Sequence, residues 1–410
     1  MFDVNKIRDD FPMFKTNKTM QGKRFVYLDN AATSFKPQCV LDAISSYYTT
    51  YSVNSHRGDY DVAHYVDATI EEARSAVARF INADPSEVVF TAGTSMSINL
   101  LAYGYGFTHL KKEDEILITQ AEHASNVLPW FKISELTGCK ISYIPLTQDG
   151  KLTLENLEKS INEHTKLLCI AHVTNVLGYV NDIKAITKIA HKHNVLVMVD
   201  GAQSVPHIKT DVKDWDIDFL SFSGHKMCGP TGIGIMYGKF NLLTKTEPFL
   251  TGGGMNIKFD MCGDVRYLNP PIKFEAGTQN IAGIFGLKAA VEYLESIGMD
   301  NIQKYEEELR IYAIEKLKKN KNLIIYNPDA TGGIITFNYK NVFAQDEATY
   351  LNSQGICVRS GQHCAKILMD LLGCDATVRA SFYFYNSKED IDEFVEALEN
   401  GGNYLDAYFN

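Results

Sequence analysis

Three short stretches hold the reactive side chains of this 410-residue chain: Val199-Asp200-Gly201-Ala202-Gln203, Ser223-Gly224-His225-Lys226 and Arg359-Ser360-Gly361-Gln362-His363-Cys364. The first two put a lysine downstream of a carboxylate that closes an apolar run. A lysine can hold an aldehyde cofactor as a Schiff base, and an acid can keep a pyridine nitrogen protonated so that the ring draws in electrons. That is the layout of a pyridoxal phosphate site. The third stretch adds a thiol on a Gly-containing loop, flanked by His363 and Arg359. The thiolate is the reactive form of cysteine, and a free thiol titrates at roughly 8.5. Arg359 and His363 are placed to lower that value or to take the proton. Together the three stretches suggest pyridoxal phosphate chemistry that ends in transfer to Cys364. Cys357 and Cys374 compete for that role, but a strand-like run and a Leu371-Leu372-Gly373-Cys374 turn read as structural settings.

A lone His-Lys pair is most often a surface pair. Here Lys226 follows an apolar run and precedes Gly229-Pro230-Thr231-Gly232-Ile233-Gly234, whose G-x-G leads into a strand and so is not a dinucleotide fingerprint. Desolvation near a cationic ring lowers a lysine pKa, as Schiff-base chemistry requires. An anion cradle is offered by Ala92-Gly93-Thr94-Ser95-Met96-Ser97, which follows a strand and opens a helical pattern. Free N–H groups and the helix dipole would face an anion there, although a plain Thr/Ser cap fits the same residues. His123, in Gln120-Ala121-Glu122-His123-Ala124-Ser125-Asn126, follows another strand end. Its ring could stack on a cofactor, and an imidazole titrating near neutrality could shuttle protons.

These groups need a scaffold that brings them to one edge. Apolar β-rich runs occur at Val88-Val89-Phe90, Ile116-Leu117-Ile118, Ile141-Ser142-Tyr143-Ile144, Leu167-Leu168-Cys169-Ile170, Val195-Leu196-Val197-Met198-Val199, Phe219-Leu220-Ser221-Phe222 and Ile233-Gly234-Ile235-Met236. Helix-length amphipathic stretches, such as Asp182 to His193, separate most of them. The alternation predicts an α/β fold with a mostly parallel seven-stranded sheet and helices on both faces. The last two runs leave no room for a full helix between them, so one edge strand is expected to be antiparallel. Ligands of such sheets sit at the carboxyl ends of the strands, where Asp200 and Ser223 both fall. Beyond about Ile281 the pattern changes: helices at Ile281 to Ile297 and Asn301 to Lys319, then a strand at Gly333 to Phe337, predict a smaller α+β unit.

Composition excludes several classes. Apolar content of 45% and charged content of 22% are those of a globular protein, and a net charge of −10 argues against nucleic acid as a partner. No apolar run reaches membrane-spanning length, and Met1 to Phe14 lacks the apolar core of a signal peptide. The eight cysteines lack zinc-type pairing, so no metal is expected, and they read as reduced thiols of a cytoplasmic protein.

From Tyr27-Leu28-Asp29-Asn30-Ala31-Ala32-Thr33 to Arg379-Ala380-Ser381 the motifs, in their order, resemble the class V aminotransferase superfamily, and within it the SufS-like (group II) cysteine desulfurases. The resemblance implies the pyridoxal phosphate fold type I. It implies an N-terminal segment over residues 1–25 packing near the small domain, a large cofactor-binding domain over 26–285 and a small domain over 286–410 that carries the nucleophile. It assigns Lys226 to the Schiff base, Asp200 to the ring nitrogen and Gln203 to the ring oxygen. Ser223, His225, Thr94 and Ser95 would hold the phosphate, with His123 against the ring. Asn175 would sit beside the ring and the substrate carboxylate, Arg379 would grip that carboxylate as a bidentate pair, and Arg359 would assist near the nucleophile. His56 and Arg57 would reach the site from loops at a dimer interface, and Thr278 would contact the phosphate of the partner subunit in a homodimer.

The implied reaction turns L-cysteine into L-alanine and leaves a persulfide on Cys364, with a SufU- or SufE-type acceptor and iron–sulfur cluster assembly downstream. The chain departs from the pattern at three places. Met96 stands where Glu is usual, Ala124 replaces a second His, and Gln345 replaces a His that in many relatives captures zinc from the acceptor. Zinc swapping is therefore not expected. Selenocysteine lyase, another class V lyase or aminotransferase, and a cofactor-fold scaffold without turnover are the alternatives.

Overall fold

The structure is a computed structural model that describes residues 2–56, 58–401 and 405. Its centre is a sheet of seven strands: β1 (Val88–Thr91), β2 (Glu115–Thr119), β3 (Lys140–Ile144), β4 (Thr165–Ala171), β5 (Leu196–Asp200), β6 (Phe219–Ser223) and β7 (Gly234–Gly238), in the spatial order β1-β7-β6-β5-β4-β2-β3. Side chains of a strand alternate between faces. Accordingly Val89 and Met198 join one apolar cluster, while Val88, Phe90, Val197 and Val199 join another on the opposite face. Both faces are covered, as a largely parallel sheet requires.

The expected antiparallel strand is present but not at the edge. β7 is antiparallel to both neighbours, pairing Gly234 with Ser223 on one side and with Thr91 on the other. The short link from β6 forces a hairpin-like return, and β1 then covers the outer side of β7. The crowding at this corner explains Gly234, where a Cβ would come 2.5 Å from the Gly93 Cα.

Helix ends follow their caps. The stretch expected from Asp182 to His193 is the helix Ile183–Lys192, with the Asp182 side chain accepting the Ala185 N–H. The stretch expected from Asn301 is the helix Met299–Leu317, begun two residues earlier because Gly298, at φ +88°, turns the chain out of the helix Ile281–Ile297.

A second sheet of four antiparallel strands follows: β8 (Leu323–Ile325), β9 (Ile334–Tyr339), β10 (Arg359–Gly361) and β11 (Thr377–Ser381), ordered β8-β9-β11-β10. It has its own apolar cluster, which includes Leu309, Phe337, Val378 and Phe394. The N-terminal residues pack beside it: Arg8 and Arg24 both pair with the buried Asp390, at 2.9 and 2.6 Å, and the Phe11 ring lies 4.7 Å from that of Tyr385. No helix among the described residues is long and apolar enough to cross a membrane.

Candidate active site

The carboxyl ends of β2, β4, β5 and β6 share one rim, and a cavity of about 230 Å³ opens there. Lys226, Asp200, Gln203, His123, Asn175, Ser223, His225, Thr94, Ser95, Arg359 and Arg379 all line it. The cavity therefore unites residues spread over most of the sequence: Asp200 and Ser223 end strands, His123, Asn175 and Lys226 follow strand ends within a few residues, Thr94 and Ser95 open a helix, Arg359 begins β10 and Arg379 lies within β11.

One wall is the start of the helix Thr94–Leu101. Thr94 N–H donates to Ser223 Oγ at 2.8 Å, the two hydroxyls are also 2.8 Å apart, and Ser95 Oγ meets Ser125 Oγ at 2.6 Å. Gly93 precedes them at φ +144°, and a Cβ there would lie 3.3 Å from Ser223 Oγ. Hydroxyls and a helix N-terminus gathered in this way suit an anion such as phosphate.

Lys226 ends the short turn Gly224–Lys226 that follows β6. Burial pushes its ammonium down to about 8, against the pull of Asp200 and with help from Arg379 and Arg359. Its ammonium has no hydrogen-bond partner among the described residues. Asp200 is buried at the end of β5 and accepts the Ala202 N–H at 2.9 Å. Burial raises its pKa, while that N–H and Lys226 oppose the rise. Gln203 is fixed by donating Nε2–H to Ala31 O at 2.7 Å.

His123 departs from expectation in its chemistry. Its Nδ1 accepts the Ser125 N–H at 3.1 Å, so the ring proton is assigned to Nε2. Burial, then Lys226, Arg359 and Arg379, hold the imidazole down to about 4. It is a neutral ring with an N–H donor, not a base titrating near neutrality.

Arg379 is fully buried on β11. Nη1 donates to Asn175 O at 2.8 Å and Nη2 to Asp29 Oδ1 at 3.3 Å, while Nε is left without a partner. Asn175 donates Nδ2–H to His363 O at 2.7 Å, and its Oδ1 is also orphaned. Buried polar atoms are normally satisfied, so these orphans mark a place for a polar ligand. With an unpartnered Lys226, a buried Asp200 and the hydroxyl cradle in the same cavity, the residues fit pyridoxal phosphate and an amino-acid carboxylate.

Cys364 is exposed, and Arg359 Nη2 lies 3.9 Å from its Sγ. Both His363 and Cys364 are in the left-handed region, at φ +51° and +58°. That conformation is costly for residues with a Cβ. It is held by Asn175 on the His363 carbonyl and by Ala124 N–H on the Cys364 carbonyl, the latter at 2.7 Å. The expected partnership of His363 with the thiol is corrected here. Its ring is buried, Nε2 lies 3.0 Å from Thr377 Oγ1, and burial followed by Arg379 and Arg359 holds it down to about 3. Arg359 is left as the group beside the sulfur. Cys357 is half-buried, and burial followed by Asp29 pushes its thiol up to about 11.

His56 and Thr278 are brought together, but not here. They line a different cavity of about 310 Å³. Arg57 lies outside the described residues. Met96 is half-buried within the Thr94–Leu101 helix, and Gln345 is exposed at the start of the helix Ala344–Ser353. Two residues not expected at the site prove to be tied to it: Asp29, the counter-charge of Arg379, and Glu122. The Glu122 carboxyl is buried, accepts from Thr119 Oγ1 at 2.7 Å and Asn126 Nδ2 at 2.8 Å, and is pushed up to about 8 by burial. Its one sequence signal is its place next to His123.

The profile of the aminotransferase class-V family matches residues 26–394. A probable cysteine desulfurase of Halalkalibacterium halodurans is 45% identical over 408 residues, covering 99% of this chain and 100% of that protein. Among solved structures, the cysteine desulfurase CsdA of Escherichia coli superposes with a TM-score of 0.91 at 36% identity, over 98% of this chain and 99% of that one. A cysteine desulfurase of Thermococcus onnurineus NA1 gives a TM-score of 0.91 at 37% identity, over 97% of each chain.

Proposed function

The chain belongs to the class-V aminotransferase family and is a pyridoxal-phosphate-dependent cysteine desulfurase, and from that premise we propose that it moves the sulfur of L-cysteine onto Cys364, releases L-alanine and passes the sulfur to a SufU- or SufE-type acceptor for iron–sulfur cluster assembly. The observation that carries this reading is an exposed Cys364 thiol 3.9 Å from Arg359, a residue of the cavity that also holds Lys226 and Asp200.

When bound, the cofactor would supply an aldehyde for the substrate amine and a ring that withdraws electrons. Lys226 would hold it covalently, Asp200 would keep the ring nitrogen protonated, and Gln203 would meet the ring oxygen. Thr94, Ser95, Ser223 and His225 would take the phosphate, and His123 would lie on the ring face as a neutral donor. Arg379 would bind the substrate carboxylate through its orphaned Nε–H, and Asn175 beside it would offer its orphaned Oδ1 as acceptor to an N–H or O–H of the bound group. Lys226, with its pKa lowered to about 8, is suited to receive the Cα proton of the substrate and return it to carbon. Cys364 Sγ, as thiolate, would then bond to the substrate sulfur while the Cβ–S bond breaks and its electron pair stays on carbon. Protonation there gives alanine, and the sulfur remains as a persulfide with no outside oxidant.

The same reading includes a homodimer, supported by the clustering of His56 and Thr278 away from the Lys226 cavity, and a cytoplasmic setting, supported by eight free cysteines. The test is to incubate the protein with L-cysteine and a reductant and to assay alanine and sulfide together, with selenocysteine in parallel. Equal amounts of alanine and sulfide support the reading. Alanine without sulfide, or turnover confined to selenocysteine, overturns it.

A further inference from the structure

The phosphate cradle has a charge problem. Pyridoxal phosphate brings a dianion, yet Thr94, Ser95 and Ser223 are neutral, and His225 is held down to about 4 by burial, then Lys226 and Lys36. Lys36 lies behind this wall, outside the cavity lining. Its half-buried ammonium donates to Thr33 Oγ1 at 3.2 Å, to His225 O at 3.3 Å and to the Ser34 carbonyl. All three acceptors are neutral, and no carboxylate among the described residues pairs with it. A partly desolvated cation without a counter-ion is costly unless an anion completes it.

The hydrogen bonds around it tie Lys36 to His225. A carbonyl oxygen has two lone pairs. Those of His225 O are shared among four donors: the Ser34 N–H at 3.0 Å, Thr33 Oγ1 at 3.0 Å, Ser34 Oγ at 3.2 Å and Lys36 Nζ at 3.3 Å. Thr33 Oγ1, which accepts from Lys36, lies 3.0 Å from His225 O, to which it donates, and 3.3 Å from His225 Nδ1, so it joins Lys36 to both the carbonyl and the ring of His225. Lys36 is thus bonded directly and through Thr33 to a residue that lines the cavity.

We propose that Lys36 is the cation of the phosphate subsite: held against Thr33 and the backbone carbonyl of His225, it supplies through them the positive charge that the phosphate needs. The inference rests on the cofactor reading above. Lys36 is a positioning residue, since it touches the phosphate only through His225.

The experiment compares pyridoxal phosphate with pyridoxal, which has the aldehyde and ring but no phosphate. Apoprotein of the wild type, Lys36→Met and Lys36→Arg is titrated with each, and Kd is read from the change in protein fluorescence. Lys36→Met should weaken pyridoxal phosphate about tenfold, or 1.4 kcal/mol, leave pyridoxal within about twofold, and be rescued largely by Lys36→Arg. Should Lys36→Met not fold, Thr33→Val cuts the same link and should give the same split. In addition, the phosphorus NMR shift of the wild-type holoprotein should stay that of a dianion at pH values where free cofactor gains a proton. Equal weakening of both ligands by Lys36→Met means a structural role and overturns the proposal, as does unchanged affinity for pyridoxal phosphate. A wild type that binds pyridoxal as tightly as pyridoxal phosphate overturns both the proposal and the phosphate cradle beneath it.

Discussion

Arg359 and Arg379 stand directly opposite each other across the antiparallel pair of β10 and β11. Directly opposed residues point to the same face, and like charges in that position repel. Here both line the active-site cavity, and Asp29 is the carboxylate that answers them, at 3.3 Å from Arg379. The sheet thus sets two guanidiniums against one acid and leaves an excess of positive charge for an anionic substrate group and for the thiolate of Cys364.

The two arginines should therefore separate kinetically. Arg379→Lys loses the planar fork and should raise KM for L-cysteine by about tenfold or more, with the cofactor still bound as in the wild type. Arg359→Ala should leave KM nearly unchanged and slow persulfide formation, because it removes the cation beside Cys364 Sγ. Steady-state kinetics together with single-turnover trapping of the persulfide checks both. A common effect of the two variants on KM alone would refute the division of labour.

Cys364→Ser should bind L-cysteine and form no persulfide, since a hydroxyl is a far weaker nucleophile toward sulfur than a thiolate. After one turnover of the wild type, mass spectrometry should find one added sulfur on the peptide containing Cys364. Cys357, whose thiol burial holds protonated up to about 11, should carry none. Sulfur found first on Cys357, or wild-type turnover by Cys364→Ser, would make an elimination lyase the better reading.

How much of this was legible in the sequence divides along physical lines. Groups that end strands were legible, because an apolar run followed by Asp200, His123 or Ser223-Gly224-His225-Lys226 carries its own direction. The parallel sheet was legible from the alternation of runs and helical stretches. The interior place of β7 was not, because a hairpin-length link fixes the sense of a strand but not which later or earlier strand covers its far side. The relation of His363 to its neighbours was not legible either. Adjacency to Cys364 suggested a base, but two left-handed residues turn the chain, and the ring bonds to Thr377 instead. Asp29, Lys36 and Glu122 were silent as site residues for a common reason: each acts on a partner distant in sequence or through burial, and neither leaves a periodic signal.

Glu122 gives a stability prediction with a definite sign. Its pKa is raised from the ordinary carboxylate value to about 8, by burial first, so the folded state prefers the neutral acid. The unfolded chain loses that proton at about 4.3. The contribution of this group to stability is therefore whole below that value, declines as pH rises, and is lost by the time pH passes about 8. Glu122→Gln, which keeps the shape without the titration, should raise the apoprotein Tm relative to wild type at pH 8.5 and leave it nearly unchanged at pH 5. Melting curves at the two pH values decide it, and an equal shift at both would rule out titration as the cause.

Lys226 and Asp200 give the last. A lysine must lose its proton before it can bond to an aldehyde, and Lys226 does so at about 8. The rate of pyridoxal phosphate uptake by apoprotein should accordingly rise with pH and level off above that value. Asp200 is the carboxylate that holds the ammonium charged, against the burial that pushes it down. Asp200→Asn removes that pull, so the midpoint of the uptake profile should move to lower pH, and uptake at pH 7 should become faster than in the wild type. The same variant should turn over L-cysteine far more slowly, because a neutral amide does not keep the ring nitrogen protonated. Faster uptake combined with lost turnover is a pairing that simple damage to the site does not produce. Stopped-flow absorbance for uptake and an alanine assay for turnover measure the two halves separately, and a midpoint that stays in place or rises would show that Asp200 does not set the charge of Lys226.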